Sequence, residues 1–149
     1  NEFNKLNIDN IFVQKNFSFN KKKGTLRGLH YQINPFSETK LIKCVGGSVF
    51  DVAVDLRKDS PTFLKYFSIN LNIESNYSIL IPKGFAHGFQ TLENNSSLVY
   101  FHSNYYNKDY ERGIKFSDKL INIKWPIQNR IISKRDLSHP QLNFDFKGI

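Results

Sequence analysis

The feature that most constrains this chain is a succession of short runs rich in Val, Ile, Phe and Tyr. They are "NIFVQKNFSF", "GTLRGLHYQI", "KLIKCVGGSVFDVAVDLR", "KYFSINLNI", "YSILIPKGFAHGFQTL" and "SSLVYFHSNYY". Each is bounded by Gly, Pro, Asn or Ser, the signature of strands separated by turns. Almost no amphipathic helix interrupts them, so an all-β sandwich or small barrel is expected. The glycine pair Gly46–Gly47 predicts a tight hairpin, because glycine supplies the positive φ such turns need, and Asn94–Asn95 predicts a similar turn. "NKKKG" reads as a hairpin loop. Phe3, Leu6 and Ile8 have helical spacing, predicting an opening helical turn or two, and the tail from 107 onward predicts loops and short helices over one end of the barrel. No repeat or linker divides the chain, and a single domain over 1–149 is expected.

A formal charge of +8 points to an anionic partner. A nucleic-acid binder clusters its cations on one face with aromatics between them. Here "NKKKG" is the one real run, and the remaining cations are scattered one per segment, so on charge alone a small phosphorylated ligand is as good a match as a polynucleotide; the expectation taken forward is the small ligand, with no nucleic-acid partner. Cys44 is the single cysteine, which excludes an internal disulfide framework and predicts a reducing, cytoplasmic setting. No apolar run approaches the ~20 residues of a membrane span, and no membrane partner is expected.

Chemistry-bearing side chains fall on the strands. In "VFDVAVDLR" alternation puts Phe50, Val52, Val54 and Leu56 on one face and Val49, Asp51, Ala53 and Asp55 on the other. Two carboxylates on a face are costly to bury without partners, so that face is either wet or a site. In "IPKGFAHGF", Phe85, His87 and Phe89 project to one side, where a histidine is either a packed core residue or functional. "GTLRGLHYQ" places Arg27 and His30 at an odd spacing, on opposite faces of a regular strand, unless Gly28 permits a bulge that turns both inward. A metal site competes for the histidines, since barrels of this kind bind metal through His-x-His with a nearby Glu. The position two after His30 is Gln32, and the next acid, Glu38, lies beyond a proline, so no metal is expected. An acid–base arrangement remains, with Asp136 available to orient a histidine and Tyr100, Tyr105 or Tyr106 available to supply a proton.

Taken together, "FVQKN", "GTLRGLHYQ", "ETKLIKCVGGSVFDVAVDLRKDSPTF", "LIPKGFAHGFQTL", "NYYNKDYERGI", "INIKWP" and "ISKRDLSHPQL" resemble, in this order, the dTDP-4-dehydrorhamnose 3,5-epimerase family. The resemblance implies an all-β, cupin-type jelly-roll barrel with short flanking helices. It implies a cofactor-free epimerase acting at C3, C5 or both of a nucleoside-diphosphate 4-keto-6-deoxy sugar, and a homodimer. It implies that His30 is the general base, Asp136 its orienting carboxylate, Tyr100 the acid on the opposite face and Lys40 the cation that stabilises an enolate. Arg27, Asp51 and His87 look like further pocket residues, Gln14 and Asn16 like contacts to the nucleotide-sugar, and Arg57 and Tyr106 like further substrate contacts.

Members of that family begin with an Arg-Gly-x-Phe type segment, and these 149 residues carry none outside Arg27-Gly28 and Arg112-Gly113, so a domain lacking the family's N-terminal segment is expected. Within the fold, the rivals are a single-centre epimerase, a GDP-4-keto-heptose epimerase and a ketoisomerase. Outside that class stand a non-catalytic sugar-nucleotide binding module and a metal-dependent oxygenase.

Overall fold

The computed structural model describes residues 11–149. The opening helical segment expected at Phe3, Leu6 and Ile8 therefore lies outside the described residues. The strands are β1 (Gln14–Asn20), β2 (Thr25–Gln32), β3 (Lys40–Gly46), β4 (Ser48–Asp55), β5 (Tyr66–Asn72), β6 (Ile79–Ile81), β7 (Phe85–Thr91), β8 (Ser96–His102), β9 (Glu111–Gly113) and β10 (Ile131–Ile132), followed by a short helix, Lys134–Leu137. They form two sheets. The smaller has the order β1-β8-β3-β6; the larger runs β10-β2-β7-β4-β5, with β9 also paired to β2. All pairings are antiparallel except β10 with β2. The result is an all-β, cupin-type jelly roll.

The glycine pair does not close a hairpin. Gly46 ends β3 in the small sheet and Ser48 opens β4 in the large one, so Gly47, at φ +62°, turns the chain from one sheet to the other. The same holds for "NKKKG" between β1 and β2 and for Asn94–Asn95 between β7 and β8. Among consecutive strands β1 to β8, only β4 and β5 pair with each other. Turn residues report where the chain reverses; which sheet receives the next strand is decided by what its apolar face can bury.

Two apolar clusters hold the layers. Ile42, Cys44 and Leu98 of the small sheet meet Val49, Ala53, Leu71 and Phe89 of the large one inside the barrel. The outer face of the large sheet, with Leu26, Leu29, Val52 and Val54, is covered by the tail through Ile114, Ile121 and Trp125. The tail thus lies over a sheet face rather than over one end. Both faces of β4 are consequently buried, and the wet face open at Asp51 and Asp55 is not found, as both carboxylates are enclosed. No helix among the described residues is long and apolar enough to cross a membrane.

Candidate active site

Between the sheets a cavity of about 550 Å³ opens, with Asn16, Arg27, His30, Lys40, His87 and Tyr100 in its lining. The small sheet contributes in rows. Tyr100 of β8 lies in register with Asn16 of β1 and Ile42 of β3, and the next inward row is Gln14, His102 and Lys40.

The bulge that Gly28 was expected to permit is present. Arg27 pairs with Phe89 and His30 with His87, so three steps along β2 match two along β7. Gly28 takes φ +111°, a region that L side chains rarely adopt. A Cβ there would sit 2.6 Å from Gly88 Cα and 2.7 Å from the His87 carbonyl oxygen. The extra residue changes the parity of β2: Leu26 and Leu29 reach the outer core, while Arg27 and His30 both reach the cavity.

His30 Nε2 donates to Asp136 Oδ1 at 2.7 Å. Asp136 stands behind the cavity wall on the short helix, capped by Ser133, whose Oγ accepts from Asp136 N at 3.0 Å. Burial opposes ionisation of this carboxyl, but the hydrogen bond and charge of His30, then Ser133 and His139, outweigh it and hold it below the usual carboxylate range. An ionised partner fixes the tautomer with hydrogen on Nε2 and leaves Nδ1 as the nitrogen that can take a proton. His139 packs edge-on against His30, ring centroids 5.3 Å apart, with Nε2 3.5 Å from the same Asp136 oxygen. These three residues form a His–Asp–His grouping with donor atoms within 4.8 Å of one another. The 2.7 Å contact between His30 and Asp136 is of ordinary hydrogen-bond length.

Across the cavity, Tyr100 meets the edge of His87 at 5.9 Å between centroids. Burial, and then the charge of Asp51, raise its phenol well above 10.0, so it stays protonated at neutral pH. His87 is itself held by Asp51, whose Oδ2 accepts from Nε2 at 2.9 Å; Asp51 is wholly buried and acts on the cavity through that imidazole. Lys40 points its ammonium into the same space, 3.2 Å from Glu38 Oε1 and 3.4 Å from the His30 carbonyl oxygen. Glu38 also accepts from the Gln32 amide.

Tyr106 lines the cavity, its hydroxyl donating to Glu111 at 2.8 Å. Gln14 stands at the rim rather than in the lining, accepting from Tyr106 N at 2.8 Å and donating to Asn16 Oδ1 at 3.1 Å. Arg57 does not reach the cavity. Its guanidinium donates to both Asp55 oxygens, at 2.9 and 2.8 Å, and lies over the Phe85 ring at 4.7 Å, so it is spent on holding the β4–β5 connection. Residue-by-residue reading missed Glu38, His102 and Glu111 in the lining and His139 behind it. His102 was within reach of the alternation rule, because it follows the inward Tyr100 by two positions.

A family model described as dTDP-4-dehydrorhamnose 3,5-epimerase matches residues 1–143. A Shigella flexneri dTDP-4-dehydrorhamnose 3,5-epimerase is 53% identical over 127 residues, covering 85% of this chain and 70% of the relative. The crystal structure of the Bacillus anthracis dTDP-4-dehydrorhamnose 3,5-epimerase, with TDP and PPi bound, superposes at a TM-score of 0.93, with 42% identity over 95% of this chain and 81% of that one. A Legionella pneumophila dTDP-6-deoxy-D-glucose-3,5-epimerase in complex with dTDP-4-keto-L-rhamnose gives 0.90 and 39%, covering 97% and 77%. Fold and comparisons define the class, a cupin-type carbohydrate epimerase. More narrowly, the chain belongs to the dTDP-4-dehydrorhamnose 3,5-epimerase family.

Proposed function

We propose that this chain epimerises C3 and C5 of a dTDP-linked 4-keto-6-deoxy sugar, and that His30 and Tyr100 act as base and acid on opposite faces of the ring. The observation that carries this is their placement in one cavity, one beside a carboxylate and the other kept protonated. The ketone at C4 acidifies the hydrogens at C3 and C5, because the electron pair left behind delocalises onto the C4 oxygen. His30 Nδ1 takes the proton as the C–H bond breaks, and the resulting imidazolium is balanced by Asp136. Lys40 stabilises the enolate oxygen, a term of about 3–4 kcal/mol for a preorganised donor in a site shielded from water. Tyr100 then delivers its hydroxyl proton to the opposite face of the same carbon, inverting it. Exchange with solvent restores neutral His30 and neutral Tyr100. One base alone would return the proton to the face it left. Neither step calls for a redox cofactor or a metal, since the carbonyl supplies the activation.

Arg27 and Asn16 stand where they can meet the anionic and polar parts of the nucleotide, and the excess of cations favours a diphosphate. The working form we propose is a homodimer. Phe17 and Phe19 of the edge strand β1, 65% and 54% exposed, share the outer face of the small sheet with Val99 and Phe101 of β8, an apolar surface suited to a second copy. A single buried free thiol, Cys44, supports the cytoplasm as its setting.

Incubation with dTDP-4-keto-6-deoxyglucose in D₂O, followed by NMR, tests the reading. Deuterium at both C3 and C5 with inversion at each is expected. Exchange at one centre alone would make the chain a single-centre epimerase, and no exchange would overturn the proposal.

A further inference from the structure

Behind the proposed base stands a second imidazole that has no part in the steps above. His139 follows Asp136 by three positions, and its ring meets that of His30 edge-on. Its backbone is anchored on both sides. The short helix before it is capped by Ser133, and the carbonyl of the next residue, Pro140, accepts from Lys115 N at 2.8 Å. The side chain is 13% exposed, and its Nε2 is buried without a hydrogen-bond partner. Packing, rather than a hydrogen bond at that atom, therefore decides where the ring lies. Burial, then the charge of His30, hold this imidazole below its ordinary 6.5, so it adds little charge beside Asp136 at neutral pH.

Gly113 makes the room for it. This glycine stands opposite His30 in the β9–β2 pairing, and its φ lies outside the left-handed region that favours glycine. What the position excludes is a side chain. A Cβ there would come within 2.3 Å of His139 Cε1 and Nδ1 and 2.5 Å of Cγ. The imidazole thus lies against the bare Cα of Gly113 and against the His30 ring. Beyond it is an outer cavity of about 420 Å³, with the exposed Lys108, Arg112 and Arg135 in its wall. His139 lines that cavity while His30 and Asp136 do not, so its ring stands between the pair and that space.

We propose that His139, seated on Gly113, is a positioning residue whose ring holds the His30 imidazole in line with Asp136 and so aims Nδ1 at the substrate carbon. The inference rests on the epimerase reading. A hydrogen bond to Asp136 fixes one nitrogen of His30 but leaves the ring free to tilt about that contact. A second ring packed against it removes that freedom. A misplacement of about 1 Å at the reacting atom is enough to cost on the order of 10²-fold in rate.

The test compares wild type, His139→Ala, His139→Phe, Gly113→Ala and the double variant Gly113→Ala/His139→Ala. Steady-state kinetics are measured on dTDP-4-keto-6-deoxyglucose, and the downfield ¹H NMR signal of the His30 Nε2 proton is read on the substrate-free proteins. His139→Ala should lower kcat by about tenfold or more, with KM changed less than about threefold, and should lose the signal. His139→Phe refills the space with a ring and should recover most of both. Gly113→Ala should lose kcat to a similar extent, because its methyl group displaces the ring. It should add no further loss once residue 139 is alanine, since the two changes then remove one and the same contact. Wild-type kcat and signal in His139→Ala overturn the proposal. So does a loss confined to KM, an equal loss in His139→Phe, or additive losses in the double variant. Should Gly113→Ala fail to fold, the two single variants of His139 decide alone. Wild type that turns over no sugar refutes the epimerase reading itself, whereas the NMR signal, which needs no substrate, still tests the placement of His30.

Discussion

Nε2 of His30 and Oδ1 of Asp136 meet at 2.7 Å although 106 positions separate the two residues, and the short helix that carries Asp136 is tied down by its Ser133 cap. An imidazole bonded in this way is fixed in tautomer, and in the proposed mechanism the carboxylate lies beside the charge it takes up. Asp136→Asn keeps the shape but offers neutral groups in place of the anion, so kcat should fall by on the order of 10²-fold or more, with substrate affinity nearly unchanged. His30→Ala should abolish deuterium exchange altogether. Steady-state rates and an NMR exchange assay check both. Exchange at the wild-type rate in His30→Ala would remove His30 from the role of base.

Tyr100 gives the complementary experiment. Its phenol is held above 10.0 by burial and by Asp51, so the acid form persists through the alkaline range in which free tyrosine begins to ionise. Inversion should therefore show no decline attributable to the phenol up to pH 10.0. Tyr100→Phe should lose inversion while His30 continues to exchange hydrogen on its own face. Deuterium incorporation with retention of configuration is the signature to measure.

Lys40 carries the third prediction. It is 8% exposed and sits beside both Glu38 and the backbone of His30, and in the proposed mechanism its ammonium meets the developing oxyanion. Lys40→Met preserves the stem and removes the charge. A loss of about 10²–10³ in kcat, with a small change in KM, is expected for a donor that acts in the transition state. A change confined to KM would make Lys40 a ground-state contact instead.

The alternation of apolar residues was enough to locate most strands and to group Asp51 with Val49, Ala53 and Asp55, and His87 with Phe85 and Phe89, because side-chain direction in a strand is a local property; which of those faces is inward took the two sheets. Sheet membership was not local. Gly46–Gly47 and Asn94–Asn95 have the residues of hairpin turns and serve as crossings between sheets, since the partner of each strand is chosen by burial over the whole barrel. The bulge at Gly28 was legible as a possibility, from the odd spacing of Arg27 and His30. That Gly88 faces it across the sheet required the register. Asp136 was legible as a carboxylate available to orient a histidine, but its pairing with His30, like the roles given to Tyr100 and Lys40, came through the family resemblance, because nothing in the spacing of "SKRD" says which strand it will meet. Arg57 shows the opposite limit. Its residue type suits a diphosphate, but Asp55, two positions away, claims it.

That Asp55 cluster makes a prediction about stability alone. Besides Arg57, Asp55 accepts from Ser60 Oγ at 2.5 Å and Thr62 Oγ1 at 2.6 Å. Burial would raise the carboxyl, but these donors prevail and hold it far below its ordinary 3.8. A carboxyl lowered on folding stabilises fully above its unfolded pKa, and the contribution is lost as pH falls through the lower, folded value. Asp55→Asn should lower stability by about 2 kcal/mol at pH 7, a figure kept modest because the Arg57 end is half exposed to solvent. The gap between the two proteins should stay constant down to about pH 4 and then narrow. Urea melts at several pH values measure it, and a gap that widened below pH 4 would contradict the assignment.

The bulge itself can be tested at one position. Gly28 combines a φ of +111° with a backbone approach that leaves no room for a methyl group, as a Cβ would lie 2.6 Å from Gly88 Cα. Both terms penalise alanine: the strained conformation, and the separation of β2 from β7 needed to relieve the clash. Relief by removing the bulge would reverse the parity of the strand. Arg27 would leave the cavity, or Leu29 would enter it, and His30 would lose its alignment with Asp136. Gly28→Ala should therefore cost at least about 2 kcal/mol and, in whatever fraction remains folded at low temperature, should lose deuterium exchange by on the order of 10²-fold. Thermal melts and exchange assays on the same sample separate the two effects. A Gly28→Ala protein that melted as wild type and exchanged hydrogen at the wild-type rate would show that the bulge does not place His30.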